Sequence, residues 1–184
     1  MVRLARLAGI LMLAALLAAW PALAQVHTAA ASDPVTLEAP ITDDTSAGVL
    51  GDATAAQQAV DELYDETRYR LFAVFVDTFG GLSHQEWGNE TAQLSQLGDA
   101  DILLAVAVQE RNYTINTSDA SGFSPGELDR VENQVQSRLS ADDWSGAVVA
   151  AAQGYQQAAG AGGADDGGTE GSGSGVGAGT VIFL

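Results

Sequence analysis

The chain contains no cysteine and no lysine among its 184 residues. Without cysteine, the sequence excludes disulfides, thiol catalysis, iron–sulfur clusters and zinc sites built on thiolates. An exported chain could have used disulfides to hold a small fold together, so this one depends on its hydrophobic core. All 7 basic residues are arginine, and they face 24 aspartate and glutamate residues.

The acidic balance is stronger in the part of the chain that is expected to fold. Arg3 and Arg6 lie in the first 24 residues, so the remainder carries five arginines against 24 acidic residues, a net charge of −19. Such a chain repels phosphate backbones and anionic lipid surfaces, so no nucleic acid partner is expected. Cations are natural partners, although an acidic surface more often serves solubility alone.

The sequence also lacks the common signatures of catalysis. It has neither G-x-G-x-x-G after a strand nor G-x-x-x-x-G-K-[ST], H-E-x-x-H or G-x-S-x-G. Its two histidines do not form a cluster. His27 lies in a small polar segment, and His84 lies in the first turn of a predicted helix, where we expect a solvated surface residue. Carboxylates are therefore the main candidates for chemistry.

Residues 1–24 have the layout of a secretory signal peptide. Two arginines supply the positive start, an apolar run covers residues 7–20, and Ala22 and Ala24 place small side chains before a cut after Ala24. The run is short for a membrane span, which needs about 20 apolar residues, and this favours cleavage over an uncleaved anchor. We therefore expect an exported protein, secreted or held on the extracytoplasmic face of the cell membrane, with residues 25–34 as a flexible lead-in.

Two apolar runs predict the buried strands of a central sheet. They cover residues 71–76 and 102–108, and their continuous apolar and β-branched character is typical of strands that are covered on both faces. Residues 113–116 alternate apolar and polar side chains, as a less buried hairpin partner does. An extended segment within residues 34–51 precedes the first helix. A helix separates the two apolar strands, and such a crossover between parallel strands is expected to be right-handed.

Four amphipathic segments predict helices, and each begins with a capping signal. Capping boxes start at Ser83, Ser124 and Ser140, and Asp52 is a suitable N-cap for the first helix. Trp87 occupies the hydrophobic-staple position of the second helix, so we expect it in the core. The element order is therefore βαβαββαα, which indicates an α/β protein with a three-layer α/β/α sandwich around a small mixed sheet.

The composition changes sharply towards the C-terminus. The foldable domain covers residues 35–158, and its last helix is expected to end between Gly154 and Gly160. Residues 159–179 are mainly small and acidic and cannot bury enough apolar surface to offset the cost of ordering, so we predict a disordered, Gly-rich linker. Residues 180–184 are apolar. They predict either a short apolar tail or the start of a transmembrane segment that is cut short, in which case the full-length protein has a C-terminal membrane anchor.

Four carboxylates are the candidate ligands for a metal ion. Asp77 follows the first apolar strand, Asp43 and Asp44 precede the first helix, and Asp101 begins the second apolar strand. In open α/β sheets, ligands bind outside the carboxyl ends of the strands, so Asp77 is well placed and the loop of Asp43 and Asp44 can fold over the same edge. Such oxygen ligands suit Ca²⁺ or Mg²⁺, and no organic cofactor is indicated. The alternative is that these acids are caps and solvated loop charges.

Several segments resemble the TPM domain family. The I-T-D of residues 41–43 and the A-G-V-L of residues 47–50 are similar to the family's V-T-D-x-A-G-x-L opening. Residues 71–77 and 101–107 look like its two central strands, and the D-D-W-S-G-A of residues 142–147 is similar to its late G-D-W-x-x-A segment. The resemblance covers most of the foldable domain.

The resemblance implies an α/β/α sandwich outside the cytoplasm, often followed by a Gly-rich stretch and a membrane anchor. Some members bind divalent cations, and plant lumenal relatives are linked to photosystem II repair and described as acid phosphatases. This chain departs from the family pattern in two places. Extra residues before Ala47 leave Asp43 and Asp44 competing for the family's Asp position, and residues 116–122 replace a glycine-rich G-Y-G-L-E-G segment.

Together these patterns predict an extracytoplasmic, membrane-tethered accessory or binding protein of envelope assembly or maintenance. Its expected partners are a divalent cation and other envelope proteins. The rival prediction is a metal-assisted acid phosphatase that acts on phosphomonoesters with Asp77 and either Asp43 or Asp44. In that case the metal would have to hold the anionic substrate at an acidic site.

Overall fold

The computed structural model describes residues 32–162 and 180–182 of the chain. The predicted signal peptide at residues 1–24, the first part of the predicted lead-in and residues 163–179 of the predicted linker lie outside the described residues. Among the described helices, none combines the length and the apolar character that crossing a membrane requires.

The elements follow the predicted order and confirm the α/β class. A 3₁₀ turn at Asp119–Ser121 is the one addition between the last strand of the hairpin and the third helix. The strands and helices are β1 (Ile41–Asp44), α1 (Thr54–Thr67), β2 (Arg70–Val76), α2 (His84–Leu94), β3 (Asp101–Ala107), β4 (Asn112–Thr117), α3 (Pro125–Ser140), α4 (Trp144–Gly162) and β5 (Thr180–Ile182).

The strands form one mixed sheet in the order β1-β2-β3-β4-β5. The first three strands run parallel, with Ile41 beside Ala73 and Leu71 beside Ile102. β4 and β5 follow antiparallel, and β5 pairs with residues 112–114 of β4. Part of the predicted apolar end thus lies on the sheet as an edge strand.

Alternate side chains of β2 and β3 face two separate cores, which explains why both strands read as continuous apolar runs. The first core lies under α1, α3 and α4 and includes Leu71, Phe75 and Leu104. The second core lies on the other face of the sheet, where Val74 and Leu103 pack with side chains of α2. Helices therefore cover both faces, and the three-layer α/β/α sandwich is confirmed.

The two crossovers of the parallel strands have opposite hands. The chain steps from β1 to β2 and from β2 to β3 in the same direction across the sheet. However, α1 packs in the first core and α2 in the second, on opposite faces. Two steps in one direction with helices on opposite faces cannot both be right-handed, so the expected right-handed rule holds for one crossover only.

Two of the predicted capping boxes are confirmed. At the start of α2 the Ser83 amide donates to Glu86 Oε2 over 3.1 Å, and the Glu86 amide donates to Ser83 Oγ over 3.2 Å. At the start of α3 the Ser124 amide donates to Glu127 Oε2 over 2.8 Å. Trp87 is fully buried, as its position after the first box predicts.

The other two predicted caps are wrong by a few residues. The buried stripe of α3 continues to Leu139, so that helix extends through Ser140 and the chain turns at Asp142, whose φ is 55°. The N-cap of α4 is Asp143, whose Oδ1 accepts the Gly146 amide over 3.0 Å. At α1 the N-cap is Ala53, and Asp52 makes a turn one residue earlier by accepting the Thr54 amide over 3.0 Å.

The last helix is longer than predicted. α4 continues to Gly162, past the expected end at Gly160. Ala147, Ala151 and Tyr155 keep it in the first core. Gly154 lies so close to α3 that an added Cβ would come within 2.9 Å of Val131. This close packing holds together the helical layer over the first core.

The second core has an additional cover, formed by the end of the predicted flexible lead-in and the start of the predicted extended segment. Residues 32–38, here called the strap, belong to no helix or strand and run along α2, and the side chains of residues 35–38 are alternately half-buried and exposed. The indole Nε1 of Trp87 donates to the carbonyl oxygen of Ser32 over 2.8 Å, so residues 32–34 of the predicted lead-in are held on the domain. Val35 and Leu37 of the strap pack against the second core.

Candidate functional site at the carboxyl edge of the parallel strands

Three loops leave the sheet where β1, β2 and β3 end. Because the three strands are parallel, residues 45–53, 77–83 and 108–111 all begin at the same edge, called the carboxyl edge below. The second and third loops are joined by a hydrogen bond from the Gln109 amide to the carbonyl oxygen of Asp77, over 3.0 Å. This is the edge at which open α/β sheets bind ligands.

Asp77 lies at the centre of this edge. It directly follows β2, and only 6% of its surface is exposed. Its two carboxylate oxygens lie 3.2 and 3.3 Å from the amide nitrogen of Ser46, and the Ser46 hydroxyl donates to Oδ1 over 3.2 Å. The loop that follows β1 therefore folds over Asp77, as the sequence analysis expected.

Asp43 organises that loop from within. Its Oδ1 accepts the amide of Thr45 over 3.2 Å and the Thr45 hydroxyl over 2.5 Å. Its Oδ2 accepts the amide of Leu50 over 2.9 Å. Both oxygens thus fix the loop, which is the capping role that the sequence analysis kept open as an alternative.

Asp44 and Glu110 flank Asp77. Asp44 is exposed at the last position of β1 and is in register with Val76, the residue before Asp77. Glu110 lies in the turn after β3, and its Oε1 accepts the amide of Phe79 over 3.2 Å. The sequence analysis missed Glu110, although it follows β3 closely, just as Asp77 follows β2.

A histidine and an arginine also lie near this edge. His84 begins α2 and is partly buried, with Nδ1 3.4 Å from the side-chain nitrogen of Asn112. Burial lowers the pKa of His84, which favours the neutral ring at neutral pH. Arg111 lies in the turn after β3 and pairs with Asp142 over 3.0 Å. The expected fully solvated histidine is thus a partly buried neighbour of the candidate site.

Asp101 lies at the opposite edge of the sheet. It begins β3, its side chain is 1% exposed, and it accepts two hydrogen bonds from Arg70, of 2.6 and 2.7 Å. It also accepts the amide of Gly98 over 2.8 Å. Asp101 therefore joins the starts of β2 and β3 and does not share a site with Asp77.

The carboxyl edge is not a complete metal centre. In the stretches that the structure describes, no three side chains of Asp, Glu, His or Cys come together closely enough to hold an ion. The Asp43 oxygens serve the loop, and those of Asp77 serve Ser46. The described side chains at this edge thus fall short of a metal ion's preferred ligand set.

A groove of about 650 Å³ lies elsewhere, against the outer surfaces of α3 and α4. Polar and apolar side chains line it together, among them Asn133, Gln134, Val149 and Ala150. None of the four predicted carboxylates lines it.

A family model for the TPM domain matches residues 43–158. The chain belongs to the TPM domain family. The match covers the three loops of the carboxyl edge, α1 to α3 and most of α4, so the resemblance drawn from the short motifs is confirmed.

Two curated mycobacterial proteins are similar to this TPM domain protein. They are the UPF0603 proteins MT2410 and Rv2345 of two Mycobacterium tuberculosis strains, each 41% identical over 133 residues. The match takes in 70% of this chain and 20% of each relative, so the chain spans about a fifth of their length.

Two solved structures share the fold. The solution structure of the N-terminal domain of the cg2496 protein from Corynebacterium glutamicum is 25% identical with a TM-score of 0.58, and the match covers 72% of this chain and 87% of that one. The N-terminal domain of a protein from P. gingivalis is 16% identical with a TM-score of 0.55, covering 64% of this chain and 80% of that one. The second likeness concerns the fold alone.

Proposed function

We propose that this TPM domain is an exported, membrane-tethered binding or accessory module that acts in the assembly or maintenance of envelope proteins. Its working surface is the carboxyl edge, where a divalent cation, Ca²⁺ or Mg²⁺, binds next to Asp77. The observation that carries the proposal is the placement of a nearly buried carboxylate, Asp77, at the edge where three loops meet.

The charge of the edge supports a cationic ligand. Asp44 at the end of β1, Asp77 after β2 and Glu110 after β3 bring three carboxylates to this edge, and the chain as a whole is strongly acidic. The repulsion among like charges at one edge is reduced when a cation binds there. An anionic ligand would be repelled by the same carboxylates.

The incomplete ligand set limits the strength of such a site. Asp77 and Asp44 would supply carboxylate oxygens, and backbone oxygens and water would have to complete the coordination shell. Ca²⁺ accepts 6–8 oxygen ligands in a flexible geometry, and Mg²⁺ usually keeps several of its waters. We therefore expect affinity of the order of 10⁻⁴–10⁻³ M, the range of extracellular calcium modules.

Export and tethering rest on the signal-like N-terminus and the Gly-rich, then apolar, C-terminal part of the sequence. The accessory role rests on the missing catalytic signatures. Its partners would be other envelope proteins, recognised at the cation-bound edge.

Thermal melting in the presence of calcium tests the cation site. A cation at about 100 times its dissociation constant stabilises the folded state by about 2.7 kcal/mol, a rise in melting temperature on the order of 10 °C for a domain of this size. We expect this rise in the chain that lacks residues 1–24, and we expect Asp77→Asn and Asp44→Asn each to abolish most of it.

Glu90→Gln is the matched control. Glu90 is exposed on α2, so its substitution removes the same unit of charge away from the carboxyl edge. A calcium effect that is absent, or that Glu90→Gln reduces as much as Asp77→Asn does, contradicts the site.

One observation favours phosphomonoester hydrolysis as a second candidate. Arg111 lies in the turn after β3, so a cationic side chain lies near the same edge as Asp77 and the Ser46 hydroxyl. Turnover of a generic phosphomonoester that is lost in Asp77→Asn and kept in Glu90→Gln would support this activity. Turnover that is absent with Ca²⁺ and with Mg²⁺ leaves the binding module as the function.

A further inference from the structure

The strap is held on α2 by side chains that lie on one face of the helix. Trp87, Thr91 and Ser95 are spaced four residues apart, so they form a single row along α2. Thr91 Oγ1 accepts the amide of Val35 over 3.3 Å, and Ser95 Oγ accepts the amide of Leu37 over 2.9 Å. With the bond from the Trp87 indole to Ser32, the row forms one side of a groove that binds an extended chain.

The other side of the groove is apolar. Val35 and Leu37 pack against the second core, whereas Thr36 and Glu38 between and after them are exposed. α2 itself packs over β3 and β4, and Gly88 permits this closeness because an added Cβ would come within 2.7 Å of Thr114.

The hydrogen bonds of this groove go to the backbone of the strap. On the strap, the amides of Val35 and Leu37 donate, and the carbonyl oxygens of Ser32 and Val35 accept. A segment that binds in this groove therefore needs only two apolar side chains, spaced two residues apart. In peptide grooves that recognise extended segments, hydrogen bonds to the peptide backbone give affinity, and pockets for alternate side chains give specificity.

We propose that this groove, formed by the row of Trp87, Thr91 and Ser95 and the second core, is a receptor for an extended segment of another exported protein. The strap is its resident occupant in cis. The inference rests on the proposed function as a binding module and names its partner class: an extended polypeptide segment with apolar side chains at alternate positions and no net negative charge. The net charge of −19 disfavours acidic segments, including the strap of a second copy.

A free segment can bind in the groove only when it displaces the resident strap. Only Ala39 and Pro40 separate it from β1, so its effective concentration at the groove is high and a free segment competes poorly with it. Weakening the two apolar contacts of the strap, while leaving the groove intact, should therefore expose the binding activity.

A peptide-binding experiment tests the proposal in the chain that lacks residues 1–24. The probe is a fluorescent peptide with the sequence of residues 31–39 in which Asn replaces Asp33 and Gln replaces Glu38, so that it carries no negative side chain. Fluorescence anisotropy follows its binding to the unaltered chain and to the double variant Val35→Ser, Leu37→Ser. We expect saturable binding that is about tenfold or more tighter to the variant, because the cis competitor is weakened. A control peptide with serine in place of both apolar residues should not bind.

Three outcomes overturn the proposal. The first is a folded variant that does not bind the peptide, and the second is equal binding of the control peptide. The third is a dimer, detected by light scattering, in which straps exchange between copies, since the occupant would then be this chain itself.

Hydrogen exchange on the unaltered chain keeps the proposal testable if the double variant fails to fold. We expect the amides of Val35 and Leu37 to exchange well before those of β2 and β3, and simultaneous exchange would make the strap a permanent part of the core. These readouts do not depend on calcium, so their failure and the failure of the cation site can be told apart.

Discussion

Glu132 is a residue whose position costs the fold stability at neutral pH. It lies on α3 with Oε1 buried, and no group in the described part of the chain donates a hydrogen bond to that oxygen. Burial, and then the charge of Asp129, raises the pKa of the Glu132 carboxyl. Burial also raises the pKa of Tyr113 and Tyr155, with the Glu132 charge as the second cause.

The sign of this effect predicts a pH-dependent stabilisation by Glu132→Gln. A carboxyl with a raised folded-state pKa contributes stability at pH values below its unfolded pKa, and the contribution is lost as the pH rises through the folded pKa. Glu132→Gln should therefore raise the melting temperature at about pH 7 and lose this advantage near about pH 4. The exposed control Glu62→Gln should show no such trend, and an equal gain at both pH values would contradict the account.

Asp101 is expected to stabilise the fold without taking part in the proposed cation site. Asp101→Asn removes the charge that binds Arg70, and because Arg70 is 56% exposed we expect a loss of only about 1–2 kcal/mol of unfolding free energy. The calcium-induced rise in melting temperature should be unchanged. A variant of normal stability that no longer responds to calcium would return Asp101 to the site.

From the sequence, residues of the candidate site could be predicted only by the rule that they follow the carboxyl ends of parallel strands. Asp77 was found because it follows a parallel strand, and the same rule would have found Glu110. Asp101 begins its strand, so the rule assigns it to the opposite edge, where the structure has it. Ser46 could not be found, because its contact with Asp77 depends on how the loop after β1 folds.

At the scale of elements, the start of α4 is stabilised by its N-cap, Asp143. Its Oδ1 caps the helix at the Gly146 amide, so Asp143→Ala should lower the unfolding free energy by about 1 kcal/mol. Ser140→Ala is the matched control and should have little effect, because Ser140 is the exposed last residue of α3. Chemical denaturation measures both, and a larger loss from Ser140→Ala would restore the cap that the sequence alone suggested.

The elements themselves were readable because their signals are local. Buried strands appear as continuous apolar runs, and the boxes at Ser83 and Ser124 depend on residues three apart. The boundary between α3 and α4 was misplaced because two plausible caps, Ser140 and Asp143, compete there. The choice depends on Leu139, which packs in the first core and keeps α3 helical through Ser140.

At the scale of the whole molecule, two features had no signal in the sequence. The hand of a crossover depends on which face of the sheet a helix covers, and both α1 and α2 have an apolar stripe that fits either face. The strap was assigned to a flexible lead-in and an irregular segment because residues 32–38 show no helical period. Its order comes entirely from the row on α2 and from the second core.

The central claim is that the carboxyl edge of this TPM domain binds a divalent cation. A two-dimensional amide NMR titration of the chain from residue 25 with calcium tests it most directly, because it reports on every loop at once. The account predicts saturable shifts at residues 44–46, 77–81 and 109–111, all lost in Asp77→Asn, with the amides of Gly98 and Asp101 unmoved. Shifts that are absent, or that cluster around Asp101 and Arg70, would contradict it.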